Sequence, residues 1–522
     1  MTRLLSALGL LVVVGNTFLF SAVVHNVRDY GARGDGRGKD TAAVQAAIDA
    51  AEKEGGGVVF VPAGNYPCGT LHLKNNIRME LAPGATISAS PDRGDFDAYE
   101  KLTYQTGSDE ETTYFHYSLL TGEDIHDISI VGAGSVDGNR AKRGGPKPIA
   151  LKNCRHVAIY GITVKNAPNY SISFLGCDDV DVDGVTILNG YADGIDPDCS
   201  RNVRIANCFI DSWDDGICLK TSLALGERRS TENVTVTNCV VTSSSNEFKL
   251  GTESSGDFKN IAFSNCALFP RRDLAKRDLA GLAIETVDGA NIAGLVVSNL
   301  VMRDIATPLF IRLGNRGRQL TTPTPGSLRN VSIKNLVATG ASATCPIVGL
   351  PGHRIENVSL DDINMTFQGG EDKTPGLDLR EAAADYPEAN MFGTLPAYGL
   401  YVRHVDGLTL SHVRLGWQKP DLRPALIADD VSDLELDGFV TSTVSGAQPV
   451  LWLHQVRGAL LRGSRIGAHA EEFLRLSGSD TREVKLIGND LANAARPLER
   501  SPEVSPTAAF ETANGLPPSS AR

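Results

Sequence analysis

The sequence predicts an all-β fold, a single-stranded right-handed parallel β-helix (a solenoid) with an N-terminal capping helix. Three observations predict it. Segments that alternate apolar and other residues recur, each placing Asn before a small or apolar residue: Val203-Arg-Ile-Ala-Asn-Cys208, Val234-Thr-Val-Thr-Asn-Cys239, Ile261-Ala-Phe-Ser-Asn-Cys266, Leu295-Val-Val-Ser-Asn-Leu300 and Val331-Ser-Ile-Lys-Asn-Leu336. Looser copies begin at Val157, Val180, Val358, Leu408 and Leu434, and the starts at 157, 180 and 203 lie 23 residues apart. A repeat of this length marks stacked coils, because one coil cannot bury its apolar face alone. Finally, 53 Gly against only 6% aromatic residues suits a chain of tight turns and small stacked side chains. A length of 522 residues otherwise suggests three or four domains, at roughly 150 residues each. A solenoid adds coils without new cores, so one long domain suffices.

The elements follow in chain order. Arg3 precedes an uncharged run from Leu4 to Val24, which reads as a signal peptide or N-terminal anchor over residues 1–24. The product is expected to be exported, periplasmic or secreted, with no stable membrane span after signal cleavage. Asp40 reads as an N-cap for a helix over 42–53, and Gly55, Gly56 and Gly57 stop it. A buried strand, Val58-Val-Phe-Val61, and the turn Pro62-Ala-Gly64 follow. The helix would cover the open apolar end of the solenoid, protecting its sheet edge. This cap spans about 25–65 and the whole β-helix domain 25–500. Stacking places equivalent residues about 4.8 Å apart. Asn207, Asn238, Asn265, Asn299 and Asn335 would therefore form a ladder at a turn, followed by a buried column of Cys208, Cys239 and Cys266. Gaps of 26 to 50 residues between later repeats imply loops inserted on one side. Residues 501–522, rich in Pro, Ser and Ala, read as a disordered tail.

Composition removes several function classes. Lys+Arg 50 against Asp+Glu 62 gives a net charge of −12, which discourages nucleic-acid binding, and 42% apolar residues exclude a disordered acidic chain. Nine Cys leave at least one unpaired, and neither a CxxC pair nor a CxxC-plus-His pattern supports a zinc site. No metal or cofactor is expected.

Two stretches carry a family likeness. Val27-Arg-Asp-Tyr-Gly-Ala-Arg-Gly-Asp-Gly36, with Asp40-Thr-Ala-Ala-Val-Gln-Ala-Ala-Ile48 and Val59-Phe-Val-Pro-Ala-Gly64, resembles the N-terminal cap of pectin-acting β-helix enzymes. Ile128-Ser-Ile-Val-Gly-Ala-Gly-Ser-Val-Asp-Gly-Asn139 resembles the following coil of polygalacturonases, glycoside hydrolase family 28. The likeness spans roughly residues 27–318. The family's motif Asn-Thr-Asp-Gly-x-Asp is matched by Tyr191-Ala-Asp-Gly-Ile-Asp196, and Asp-Asp-Cys-Ile-x-Ile-Lys by Asp214-Asp-Gly-Ile-Cys-Leu-Lys220. Asp193 and Asp214 lie 21 residues apart, about one coil. Stacking at that spacing crowds Asp193, Asp214 and Asp215 on one face. Carboxylates that close cannot all ionise easily, which yields an acid beside bases, as glycosidic hydrolysis requires. The resemblance implies Asp214 as general acid, Asp193 and Asp215 as the pair that activates water, and inversion at the anomeric carbon.

The departures bear on substrate. Where the family has Gly-His-Gly, the chain reads Ser245-Asn-Glu-Phe-Lys-Leu-Gly251, with Asn246 in the place of His. Gly-Leu-Arg-Ile-Lys-Thr becomes Gly281-Leu-Ala-Ile-Glu-Thr286. The resemblance assigns that Arg and Lys to a galacturonate carboxylate; Ala283 and Glu285 replace them. A sugar carboxylate facing Glu285 would meet repulsion, so the expected sugar there is neutral or differently bound.

Other candidates keep two readings each. Asp196 matches the family's second Asp and would orient its neighbours. Lys220 reads as an ion-pair partner or a substrate contact. Asn246, Lys249 and Glu253 in the next coil read as substrate contacts or local hydrogen bonds. Arg312, alone in an apolar strand, reads as a substrate-binding residue or as the partner of a carboxylate near the cleft. Tyr114-Phe115-His116-Tyr117 concentrates rings in an aromatic-poor chain, for sugar stacking or for loop packing onto the cap. The partner expected is a polysaccharide or oligosaccharide, cleaved by hydrolysis. The alternatives are a polysaccharide lyase using Ca²⁺ held by the Asp cluster and a non-catalytic glycan-binding β-helix. A long insert over 366–400 is expected to wall the cleft.

Overall fold

The computed structural model describes residues 23–271, 279–373, 375–447 and 449–517. It is a right-handed parallel β-helix. One column of paired residues runs through its coils: Ile128, Val157, Val180, Val203, Val234, Ile261, Leu295, Val331, Val358, Leu408, Leu434, Ala459, Val484 and Ala509. Every repeat start read from the sequence stands in this column. From Ile128 to Val484 the column is buried. Each Val, Leu or Ile in it contributes about 1.5–3 kcal/mol by leaving water.

The predicted Asn ladder forms, and its cause is conformational. All five Asn residues adopt φ between 52° and 58°, the left-handed region that Asn tolerates better than most residues. Each turn amide then meets the neighbouring coil. Asn299 donates to Asn265 at 2.9 Å, Asn335 to Asn299 at 3.0 Å and Asn238 to Asn207 at 3.4 Å. Asn265 instead reaches the Thr237 hydroxyl at 3.1 Å. A second ladder, of Asn202, Asn233 and Asn260, runs along another corner at 2.9 and 2.8 Å. Cys208, Cys239 and Cys266 form the expected buried column, and all nine Cys are free.

The cap is the helix Thr41–Lys53, with Val44, Ala47, Ile48 and Ala51 buried on one face. Asp40 does not cap it through its side chain as expected. Its carboxylate accepts the Arg33 and Gly34 amides at 2.8 and 3.1 Å, since two loop amides outcompete one helix-end amide.

The expected structureless tail is corrected over 501–517. Strand Ala494–Arg500 pairs with Ala470–Ser477, and Ala509–Thr512 with Arg482–Ile487. Val504 and Ala508 are buried. Two small apolar anchors and a sheet edge needing a partner outweigh the Pro/Ser composition. Residues 518–522, and 1–22 of the predicted signal, lie outside the described residues. Among the described residues no helix is long and apolar enough to cross a membrane.

Candidate active site

The site lies on the strands Ile195–Asp198, Ile217–Thr221, Asn246–Ser254 and Ala280–Thr286, stacked in that order. Ile195, Ile217, Phe248 and Leu282 form the inward column and are fully buried. Just before this column, the Gly194 amide donates to Asp215 O at 2.9 Å and the Gly216 amide to Asn246 O at 2.8 Å. The coils approach so closely here that a Cβ on Gly194 would lie 2.3 Å from Gly216 O, so no side chain fits. Asp193, Asp215 and Asn246 therefore occupy successive coils. Asp193 stacks on Asp215, not on Asp214 as the 21-residue spacing implied.

Two buried lysines organise the carboxylates. Lys220 Nζ lies 2.8 Å from both Asp193 Oδ2 and Asp196 Oδ2, and 3.9 Å from the centre of the Tyr170 ring. Lys249 Nζ lies 3.1 Å from Asp215 Oδ2, whose other oxygen accepts Asn246 Nδ2 at 2.7 Å. Burial, then the Asp196 charge, pushes the Asp193 carboxyl well above the usual range, against the pull of Lys220. Burial raises Asp196 to about 6, although Lys220 pulls it down. One ammonium between two carboxyls balances only one negative charge, so this trio holds a shared proton. For Asp215, burial raises the carboxyl, but Lys249, the Asn246 amide and Lys220 outweigh it and hold it below the usual range. Asp215 is thus an ionised carboxylate beside a protonated neighbour.

Asp214 stands apart. Its side chain is 20% exposed and pairs with Arg143 Nη1, while Arg143 Nε contacts both Glu111 oxygens at 3.0 Å. The three expected carboxylates are therefore two adjacent groups in the turns just before the strands, Asp193 and Asp215, and one facing outward. Arg143 and Glu111 were not found from the sequence, because they lie on inserts that do not follow the coil period.

The remaining candidates divide. Asn246, Lys249 and Lys220 join the cluster as ion-pair and hydrogen-bond partners. Glu253 pairs instead with Arg318 at 2.9 Å. Among the described residues Arg312 has no direct carboxylate partner; it donates to the carbonyls of Gly349, Glu381 and Ala382 at 3.1, 2.7 and 3.0 Å. Carbonyls satisfy a buried planar guanidinium without a counter-charge, and burial lowers it to about 10. Arg312 anchors the insert, whose Tyr386 hydroxyl reaches Thr252 at 3.0 Å. The Tyr386 ring lies 5.9 Å from Lys249 Nζ, so the insert does wall this part of the site.

Glu285 is 1% exposed, and its Oε2 has no hydrogen-bond partner among the described residues. Burial raises it to about 8, although Lys249 pulls it down. It is thus a neutral acid at pH 7, and the repulsion expected from its charge is replaced by an uncharged wall. Its folded value lies above the ordinary 4.5, so the folded chain binds the extra proton. Stability from this group is complete below pH 4.5 and is lost as pH rises through 8. Thermal unfolding at pH 5 and pH 8 should show the parent losing on the order of 2 kcal/mol more than Glu285→Gln; equal losses would contradict the assignment.

Asp193, Asp215 and Cys218 offer atoms within 4.8 Å of one another, the spacing of a metal site. Lys220 and Lys249 already sit on both carboxylates, and burial pushes the Cys218 thiol well above its usual range. That donor set suits ammonium partners better than a divalent ion.

The match to a family model places this β-helix and its aspartate cluster among the glycosyl hydrolases. Residues 96–378 match glycosyl hydrolases family 28, and residues 24–80 match rhamnogalacturonase A/epimerase, pectate lyase-like. The chain belongs to glycosyl hydrolases family 28 and is a glycosidase. It is 24% identical over 378 residues to a probable polygalacturonase of Vitis vinifera, covering 66% of this chain and 75% of that protein. A crystal structure of a hyperthermoactive exopolygalacturonase from Thermotoga maritima superposes with a TM-score of 0.57 at 22% identity, covering 74% of this chain and 91% of that one. A local match, 41% identical over 123 residues, links the chain to mannuronan C5-epimerase AlgE2 of Azotobacter vinelandii, covering 22% of this chain and 12% of that protein.

Proposed function

We propose that the chain hydrolyses glycosidic bonds of a pectic polysaccharide or oligosaccharide with inversion, using Asp193, Asp214 and Asp215. The observation that carries this reading is the split of carboxyl groups: Asp215 held ionised by Lys249 and Asn246, and Asp214 presented outward. Asp214 gives its proton to the glycosidic oxygen as the bond to the anomeric carbon breaks. Water attacks that carbon from the opposite face and passes a proton to Asp215, with protonated Asp193 holding the water. Arg143 holds Asp214 and Glu111 at the same time in this structure, so it positions the outward carboxylate at the edge of the site.

The sugar beside Ala283 and Glu285 is neutral in this reading. Ala283 is fully buried against Phe310 and Ala389 and Glu285 is 1% exposed, so neither position offers the cation that a sugar carboxylate would need. The uncharged run at Leu4 to Val24 supports export.

The test is a screen of oligogalacturonides, their carboxyl-reduced counterparts and rhamnose-containing pectic oligosaccharides, following released reducing ends and their anomeric form by NMR. Neutral or mixed substrates should exceed oligogalacturonides by at least about tenfold in kcat/KM. Equal or faster cleavage of plain polygalacturonate would overturn the neutral subsite. Ultraviolet-absorbing unsaturated products would show a lyase, and binding without cleavage a glycan-binding solenoid.

A further inference from the structure

We propose that a cavity beside the Arg143–Glu111 pair is a distal subsite for a neutral sugar unit of the same substrate chain; this rests on the hydrolase reading above. The cavity holds about 600 Å³ and is lined by Phe96, Tyr99, Tyr117, Asp97, Glu110 and Arg93, closed by Gly144 and Gly145. That volume lies within the roughly 300–1,000 Å³ of small-ligand sites.

Its position follows from the chain. Glu110 and Gly144 line the cavity, and their neighbours Glu111 and Arg143 form the pair on Asp214. A polysaccharide lying across Asp214 therefore passes the cavity within a few sugar units.

Its chemistry is that of a sugar site. Tyr99 stacks on Tyr114 with ring centres 4.3 Å apart and planes 8° apart, and meets Tyr117 edge-on at 5.5 Å. Phe96 is buried in the main core, as loop packing requires, but Tyr99 remains 42% exposed. A rigidly held, half-open ring is a platform for the apolar face of a sugar. Asp97 and Glu110 against the single Arg93 leave the lining net negative, which favours hydroxyls over a uronate carboxylate. Asp97 Oδ2 contacts His72 at 3.2 Å, which orients that carboxylate.

The experiment is isothermal titration calorimetry in an Asp215→Asn background, which prevents turnover. The probes are carboxyl-reduced oligogalacturonides and unmodified oligogalacturonides, each as disaccharide and hexasaccharide. The carboxyl-reduced hexasaccharide is expected to bind at least tenfold tighter than its disaccharide. Tyr99→Ala should weaken the hexasaccharide about tenfold and leave the disaccharide unchanged. Glu110→Gln, an exposed and conservative change, should weaken it about threefold. Equal affinity for both lengths overturns the subsite, as does a loss in both variants that strikes the two lengths alike. A larger length gain for the unmodified uronates overturns the neutral assignment. Absence of binding to every probe overturns the hydrolase reading together with the subsite, whereas length-independent binding spares that reading.

Discussion

Asp215→Asn is expected to lower kcat by about 10³–10⁴-fold while leaving affinity within a few fold. The change keeps shape and hydrogen-bonding to Asn246 but removes the negative charge that accepts the water's proton. Asp193 cannot replace it, because its carboxyl sits well above the usual range and shares a proton with Asp196. The same change leaves Lys249 facing a neutral amide and neutral Glu285, so stability falls as well. The folded value of Asp215 is depressed below 3.8; its stabilisation is therefore present above pH 3.8 and lost as pH falls through the folded value. Steady-state kinetics with unfolding at pH 7 and pH 3 tests both parts. A variant rate within tenfold of the parent would place the base elsewhere.

Lys220→Met should destabilise the chain by about 3–5 kcal/mol, because two buried carboxyls lose their ammonium at once. Lys220 is 4% exposed and 2.8 Å from both partners, so water cannot take its place. Asp193 and Asp196 would answer by binding another proton, as burial of an unpaired carboxylate costs more than neutralising it. Adding Asp196→Asn to Lys220→Met should recover stability relative to the single variant, since one of the stranded charges is gone. Denaturant unfolding of the four proteins measures this coupling. Strict additivity of the two substitutions would mean that Lys220 and Asp196 act independently despite their contact.

Much of the fold was legible because a solenoid repeats one local problem. Val157, Val180 and Val203 announce the coil, and each later copy must bury the same position. Asn207 and its successors were legible for a conformational reason, since the turn needs a positive φ at every coil. The second ladder through Asn202 and Asn233 follows the same rule at a corner that the Asn-Cys motif does not include. The C-terminal end runs against its composition: Val504 and Ala508 are two anchors in a Pro- and Ser-rich stretch, and only the waiting sheet edge makes them decisive.

The site was legible in its residue types and not in its connections. Asp193, Asp196, Lys220, Asn246 and Lys249 do meet. Whether Asp193 faces Asp214 or Asp215 depends on one residue of register, which coil length cannot specify when the turns contain adjustable loops. Arg312 shows the same limit from the other side, since a lone Arg in a strand says nothing about whether carbonyls or a carboxylate await it. Arg143 and Glu111 arrive from inserts whose paths no periodicity predicts.

The chain alone thus established the parallel solenoid, its cap and the carboxyl-bearing face, because these follow from local period and residue type. Tertiary structure decided which carboxyl keeps its proton, which lysine sits on which aspartate and that Glu285 is neutral. Those properties depend on burial and on charges a few ångströms away, contributed by coils and loops distant in sequence.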